Sequence, residues 1–170
     1  SMSDITEATG LTKGAIYGNF ESKEALALQA FRRNSRFLLK DLGDELNAIG
    51  SPLSKLFAMT NFYRNYYQVT IDYGGCPILN VGVDAHYQNK PLFEKVKKLI
   101  ELLQRNLEKM IGDGQEVGEL RKDVSAVEYS KLIFSMIEGS IFMAVTREDE
   151  SYILDMMDQI DRMIKTQLMN

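Results

Sequence analysis

Hydrophobic residues recur at three- and four-residue spacing through nearly the whole chain, and that spacing predicts a succession of helices. The first, opened by Ser1 or Ser3, places Ile5, Ala8 and Thr9 on one side, carries Asp4 and Glu7 near its positive end, and stops at Gly10. Leu11 is expected to plug the corner. Thr12 is positioned to cap a second short helix, Lys13 to Phe20, whose Ile16, Tyr17 and Phe20 face back onto the first. Two short helices around a glycine turn have the geometry of a DNA-reading helix-turn-helix.

Ser22 starts a long helix with apolar positions at Leu26, Leu28, Ala30, Phe31, Phe37, Leu38, Leu42, Leu46 and Ile49, ending at Gly50. Ser51-Pro52, a cap followed by proline at the first helical position, opens a helix to about Asp72. This helix is apolar on one side through Leu53, Leu56, Phe57 and Thr60, then aromatic almost all round at Phe62, Tyr63, Tyr66 and Tyr67. A helix apolar on every side is buried on every side, and tyrosine hydroxyls carried inside need partners. Core packing could satisfy them; alternatively, some line a cavity whose polar groups orient a small molecule.

Tyr73-Gly74-Gly75 breaks the chain, and Cys76-Pro77 begins a short helix to about Gln88. Asn89-Lys90-Pro91 begins a long one to about Ile111, with Gly112, Gly114 and Gly118 ending it in a turn. Ser125-x-x-Glu128 is a capping box opening Ala126 to about Thr146, where Tyr129, Leu132, Ile133, Met136, Ile137, Ser140, Ile141 and Ala144 form one face and Phe134, Phe142 and Met143 a second. A last helix to Leu168 aligns Ile153, Met156, Met157, Ile160, Met163 and Ile164. Those two helices carry more apolar surface than one wall of a core needs.

Composition narrows the function. The chain has 170 residues, 45% of them hydrophobic, enough for one substantial core with or without a small satellite domain. Its net charge of -4 supplies no global basic field, so any DNA contact must rest on a local patch. No apolar run is long enough to span a membrane and no secretory signal pattern opens the chain, which together with a single cysteine predicts a cytoplasmic address. One histidine, no HExxH, no Glu-x-x-His pair and no phosphate-cradling glycine motif exclude the usual metal and nucleotide chemistry. A Cys76/His86 nucleophile pair lacks a third orienting group. Neither catalysis, a metal nor a cofactor is expected. Cys76 reads either as an oxidant-sensing thiol at a helix N-terminus or as a buried inert one.

The second short helix has an unusual outer face. Lys13, Gly14, Gly18 and Asn19 carry little bulk, and each glycine costs roughly 1 kcal/mol against alanine in a helix. A helix lying in a major groove needs small residues where phosphates crowd its backbone, a lysine for phosphate or guanine, and an amide for base edges. Lys23, at the start of the long helix, suits a phosphate held there by backbone amides, or else is simply solvated.

The string ITEATGLTKGAIYGNFESKEAL resembles the helix-turn-helix signature of the TetR family of bacterial transcriptional repressors, with its glycine turn, Thr-Lys-Gly opening, Tyr-x-x-Phe and Ser-Lys-Glu-x-Leu. Thr6 and Thr9 stand where the family usually has alanine, and Gly18-Asn19 where it often has larger aromatic or basic residues. GGCPILNVGVDA resembles a segment that borders the ligand cavity in that family. The chain begins at what would be the first turn of the family's second helix, so the first family helix is expected to be absent from it.

The resemblance implies an all-α fold: a helix-turn-helix head over residues 1–24, joined by a long helix to a ligand-binding and dimerisation bundle over residues 25–170. It implies a homodimer through the last two helices, a double-stranded operator and an as yet unknown small-molecule effector. Thr12, Lys13, Gly14, Tyr17, Asn19 and Lys23 are the expected DNA contacts, and Phe62, Tyr63, Tyr66, Asn80, Asp84, Tyr87 and Met136 the expected effector contacts. The function so implied is a repressor released from a palindromic operator by a small apolar or aromatic molecule. The alternative is a helical dimeric module that binds a small molecule or protein without touching DNA.

Overall fold

Nearly every expected start signal sits at a helix N-terminus in the computed structural model, which describes residues 1–170 apart from the side chain of Leu38; the expectation for that position lies outside the described residues. The described residues form nine α-helices and a closing π-helical turn, an all-α fold. The head comprises α1 (Met2–Thr9), capped by Ser1 with a reciprocal bond to Asp4, and α2 (Lys13–Tyr17), capped by Thr12. Gly10, at φ 69°, takes the left-handed turn between them. α2 is shorter than expected, because Gly18 closes it. Two inward assignments also fail: Ile16 alone is buried on α2, while Leu11 is 52% and Tyr17 50% exposed. With one helical turn available, Ile16 fills the contact with α1, and Tyr17 points a quarter-turn away.

The body follows as α3 (Lys23–Ala48), α4 (Pro52–Arg64), α5 (Tyr66–Tyr73), α6 (Pro77–Gln88), α7 (Lys90–Glu116), α8 (Ala126–Arg147) and α9 (Ser151–Met163). Ser22 Oγ accepts from Ala25 N at 3.0 Å, Ser51 Oγ from Ser54 N at 3.0 Å and Ser125 Oγ from Glu128 N at 3.2 Å. These bonds satisfy amides that a helix start otherwise leaves unpaired, typically for about 1 kcal/mol each.

The expected helix from Pro52 to Asp72 is two helices. Asn65 Nδ2 donates to Asn61 O at 3.3 Å, claiming the carbonyl that a continuing helix would offer to Asn65 N, and that N–H bonds Phe62 O instead. Conversely, α7 runs straight through Gly112 and Gly114, and only Gly118, at φ 79°, turns the chain. The Leu120 side chain lies directly on Gly114, where a Cβ would stand 2.6 Å from Leu120 Cδ1. Gly114→Ala is therefore expected to lower unfolding stability by about 2 kcal/mol, despite alanine's better helix propensity; chemical denaturation of the two proteins measures this directly.

Leu56, Ile111, Leu120, Ile133, Ile137, Ile141, Ile153, Met157, Ile160, Ile164 and Leu168 are fully buried and form the main core between α4, α7, α8 and α9. A smaller cluster of Phe31, Ala85, Leu92 and Val96 fastens α3 to α6 and α7. One polar group crosses the core's edge: Thr60 Oγ1 donates to Asp161 Oδ1 at 2.7 Å, and Arg64 Nη2 reaches Asp161 at 2.8 Å and Asp158 at 2.7 Å, tying α4 to α9. After α9 the turn Ile164–Leu168 closes the chain, with Leu168 O accepting from Arg121 N at 2.8 Å and Met169 bridged to Leu120. Glu119, beside this tail, accepts from Ser51 Oγ at 3.0 Å and Leu53 N at 2.8 Å, placing a carboxylate at the positive end of α4.

Candidate DNA-reading head and effector cavity

In the head, Thr12 Oγ1 accepts from Ala15 N at 3.1 Å and sets the start of α2, leaving Lys13, Gly14 and Tyr17 on its exposed side. A Cβ on Gly14 would meet nothing closer than Thr12 Oγ1 at 3.9 Å. Nothing within the chain therefore demands glycine there, and the bare backbone is open to an external surface. Asn19 is exposed, but its Nδ2 donates to Ala15 O at 2.9 Å. A two-point hold on adenine uses both amide atoms, so that role requires this bond to open. Lys23 is exposed on the first turn of α3, one residue past its cap.

In the body, Tyr63 and Tyr66 flank the break at Asn65, with ring centroids 5.3 Å apart; Phe62 stands 5.4 Å from Tyr63 and 5.9 Å from Tyr66. Both tyrosines line a narrow cleft with Ser35 and Leu39 of α3, Cys76 and Ile78 at the start of α6, Leu99 and Leu103 of α7, and Glu138 of α8. Next to it, an apolar cavity of about 200 Å³ lies between α3, α4, α7 and α8. Leu39, Tyr63, Leu99 and Leu103 wall both spaces.

Glu138 was not among the residues expected from sequence. Burial raises its carboxyl from 4.5 to about 7, opposed only partly by the Cys76 thiol, whose Sγ lies 3.9 Å from Oε2. Burial, then the neighbouring Glu138, pushes Cys76 up to about 11. Burial also raises both phenols, with the charges of Glu138 and Cys76 adding to it. A thiol held protonated is a poor nucleophile. Cys76 in the native protein at pH 8 is expected to react with an aromatic disulfide reagent at least about tenfold more slowly than in urea, a comparison of two absorbance traces.

The other expected effector contacts are scattered. Met136 is half-buried against the core. Asn80 donates from Nδ2 to Gly74 O at 2.7 Å and borders a different cavity, of about 290 Å³, between α3 and the α5–α6 turn. Asp84 is exposed and Tyr87 is 82% exposed, stacked edge-on against His86 at 4.6 Å. α6 turns Ile78, Val81 and Ala85 toward α3 and α7, which carries Asp84 and Tyr87 away from the cleft and the 200 Å³ cavity. Among the described residues, no cluster of three metal-ligating side chains occurs.

Known proteins agree with this architecture. The family profile described as "Bacterial regulatory proteins, tetR family" matches residues 1–30, and that described as "Tetracyclin repressor-like, C-terminal domain" matches residues 52–160. The chain belongs to the TetR family. It is a DNA-binding transcriptional regulator and not an enzyme. Among TetR-family relatives it is 27% identical over 155 residues to the HTH-type transcriptional repressor DhaR of Mycobacterium sp. (strain GP1), covering 88% of this chain and 75% of that protein. It is 22% identical over 165 residues to the HTH-type transcriptional regulator LmrA of Bacillus subtilis (strain 168), covering 96% and 85%. The crystal structure of a TetR transcriptional regulator from Chloroflexus aurantiacus J-10-FL superposes with a TM-score of 0.92 at 30% identity, covering 99% of this chain and 85% of that one. TetR-family regulators bind DNA operators and form homodimers with small-molecule effectors. Among the described residues, no helix is long and apolar enough to cross a membrane.

Proposed function

We propose that this TetR-family chain is a dimeric repressor, acting in the cytoplasm, that leaves a palindromic operator when a small molecule with an apolar or aromatic body enters the protein. The observation that carries this reading is that one helix serves both ends: α3 begins at the head, and its Leu39, Leu42 and Leu46 wall the 200 Å³ cavity. A molecule seated there bears directly on the helix that positions α2. Pairing through the outer faces of α8 and α9 sets two copies of α2 about one DNA turn apart, and tilting α3 spoils that spacing. The effector acts only through its preference for the tilted state, so its differential affinity sets the size of the response.

Thr12, Lys13, Gly14, Tyr17, Asn19 and Lys23 form the DNA surface of this proposal. The test is fluorescence anisotropy of the full chain on the DNA flanking its own gene, across a salt series. Tight binding that weakens steeply with salt is expected, because phosphate contacts release counterions. Lys13→Ala is expected to weaken binding about tenfold and to reduce the salt slope by about one. Weak binding indifferent to sequence, or an unchanged affinity in the Lys13→Ala protein, would transfer the function to a helical module that binds small molecules or proteins without DNA.

A further inference from the structure

The cleft beside the apolar cavity contains polar groups that the protein itself leaves unmatched. Ser35 is 8% exposed, and its Oγ has no hydrogen-bond partner, the single such buried side-chain atom among the described residues. The same cleft is lined by the Glu138 carboxylate, whose one hydrogen bond is the long 3.9 Å contact from Cys76 Sγ. Among the described residues, no lysine, arginine or histidine forms an ion pair with Glu138. The cleft holds about 20 Å³, room for one water or one ammonium nitrogen. Glu138 is half-buried; a carboxylate partly withdrawn from water without a cation is destabilised, and a cation delivered from outside offsets that cost. Tyrosine faces attract cations as well.

The geometry points to an effector with an ammonium head on an apolar body: the ammonium donates to the Glu138 carboxylate and Ser35 Oγ beside Tyr63 and Tyr66, and the body occupies the adjoining cavity against Met59, Phe134 and Ile137. This rests on the reading above that the body of the protein binds an effector. It adds the chemistry of that molecule. A carboxylate head would face Glu138 with like charge, and a neutral hydroxyl would leave the half-buried charge uncompensated.

Three probes of one shape separate these heads: 4-phenylbutylamine, 4-phenylbutanol and 4-phenylbutyrate, each titrated calorimetrically into the full chain at pH 7.5 without DNA. The amine is expected to bind at least tenfold more tightly than the alcohol, with the acid weakest. Glu138→Gln is expected to abolish the amine's advantage while leaving the alcohol within about threefold, as removal of a charge-assisted hydrogen bond alone would do. A pH series on the unmodified chain gives an independent reading. The titratable groups facing Glu138 are Tyr63 of α4, Tyr66 of α5 and Cys76 at the start of α6, all held protonated; α3 and α7 contribute Ser35, Leu39, Leu99 and Leu103. Glu138 alone ionises between pH 6 and 8 among these groups, so amine affinity is expected to rise by up to about tenfold over that range while the alcohol's stays flat.

Equal affinity for amine and alcohol, an amine unaffected by Glu138→Gln, or binding of none of the three overturns the assignment and leaves the cleft as the seat of one water. Anisotropy with operator DNA keeps the two ideas apart. An amine that binds through Glu138 without releasing operator leaves this assignment standing and removes the effector reading. Operator release by neutral molecules with no preference for the amine does the reverse.

Discussion

Replacing Glu138 with glutamine is expected to stabilise the protein at pH 8 by up to about 3 kcal/mol, and to change stability little at pH 4. The sign follows from the shift. The carboxyl is raised from 4.5 in the unfolded chain to about 7 in the folded one, so the folded state holds the proton more tightly. The stability that this proton binding contributes is fully present below about pH 4.5 and is lost as pH rises through 7. Glutamine cannot ionise, so the variant escapes that loss. Thermal melts at pH 4, 6 and 8 should show the two proteins converging at the acid end and separating by several degrees at the alkaline end. A parallel offset at all three pH values would mean that Glu138 is hydrated or paired in solution.

The second large effect concerns pairing. Leu132, Phe142 and Val145 of α8 and Tyr152 of α9 remain exposed in the protomer, Phe142 by 54%, although the opposite faces of both helices are fully buried. Gly139, in the middle of the exposed stripe, has nothing within 4 Å of where a Cβ would be, so another helix can approach its backbone closely. Phe142→Glu puts a charge in the centre of the proposed interface while removing no contact from the main core. We expect sedimentation to show a monomer whose far-ultraviolet dichroism is unchanged, with operator affinity reduced more than about hundredfold because the two half-sites are no longer bound together. Phe142→Leu should remain dimeric. A Phe142→Glu protein that still sediments as a dimer would place the interface elsewhere.

Much of the fold was legible because it is decided locally. Ser22, Ser51, Asn89 and Ser125 each cap the helix they announced, since a cap depends on residues only two or three positions away. The misreadings arise where a distant or competing contact decides. Asn65 breaks a helix by capturing one carbonyl, and α7 runs on through Gly114, against which Leu120 folds back. Aromatic density drew attention to Tyr63 and Tyr66, which do line the cleft, but the polar residues beside them were missed. Glu138 did leave a signal, as an acid four residues after Phe134 and three before Ile141, and Ser35 lies four after Phe31. Reading these as cavity residues required knowing that six helices meet there.

The contacts around Glu119 bear on the order in which the chain can fold. Its carboxylate completes the start of α4 from 66 to 68 residues downstream, and the turn that holds it is in turn fastened by Asn170, whose Nδ2 donates to Gly118 O from 52 residues further on. Such closures are slow to form because a long loop must be ordered before they contribute anything. On the ribosome, then, the first turn of α4 lacks this carboxylate until Glu119 has emerged, and the turn that holds Glu119 is fastened only after Asn170 has followed. The wall that α4 gives the cavity is therefore completed only after the whole of α7 has been made.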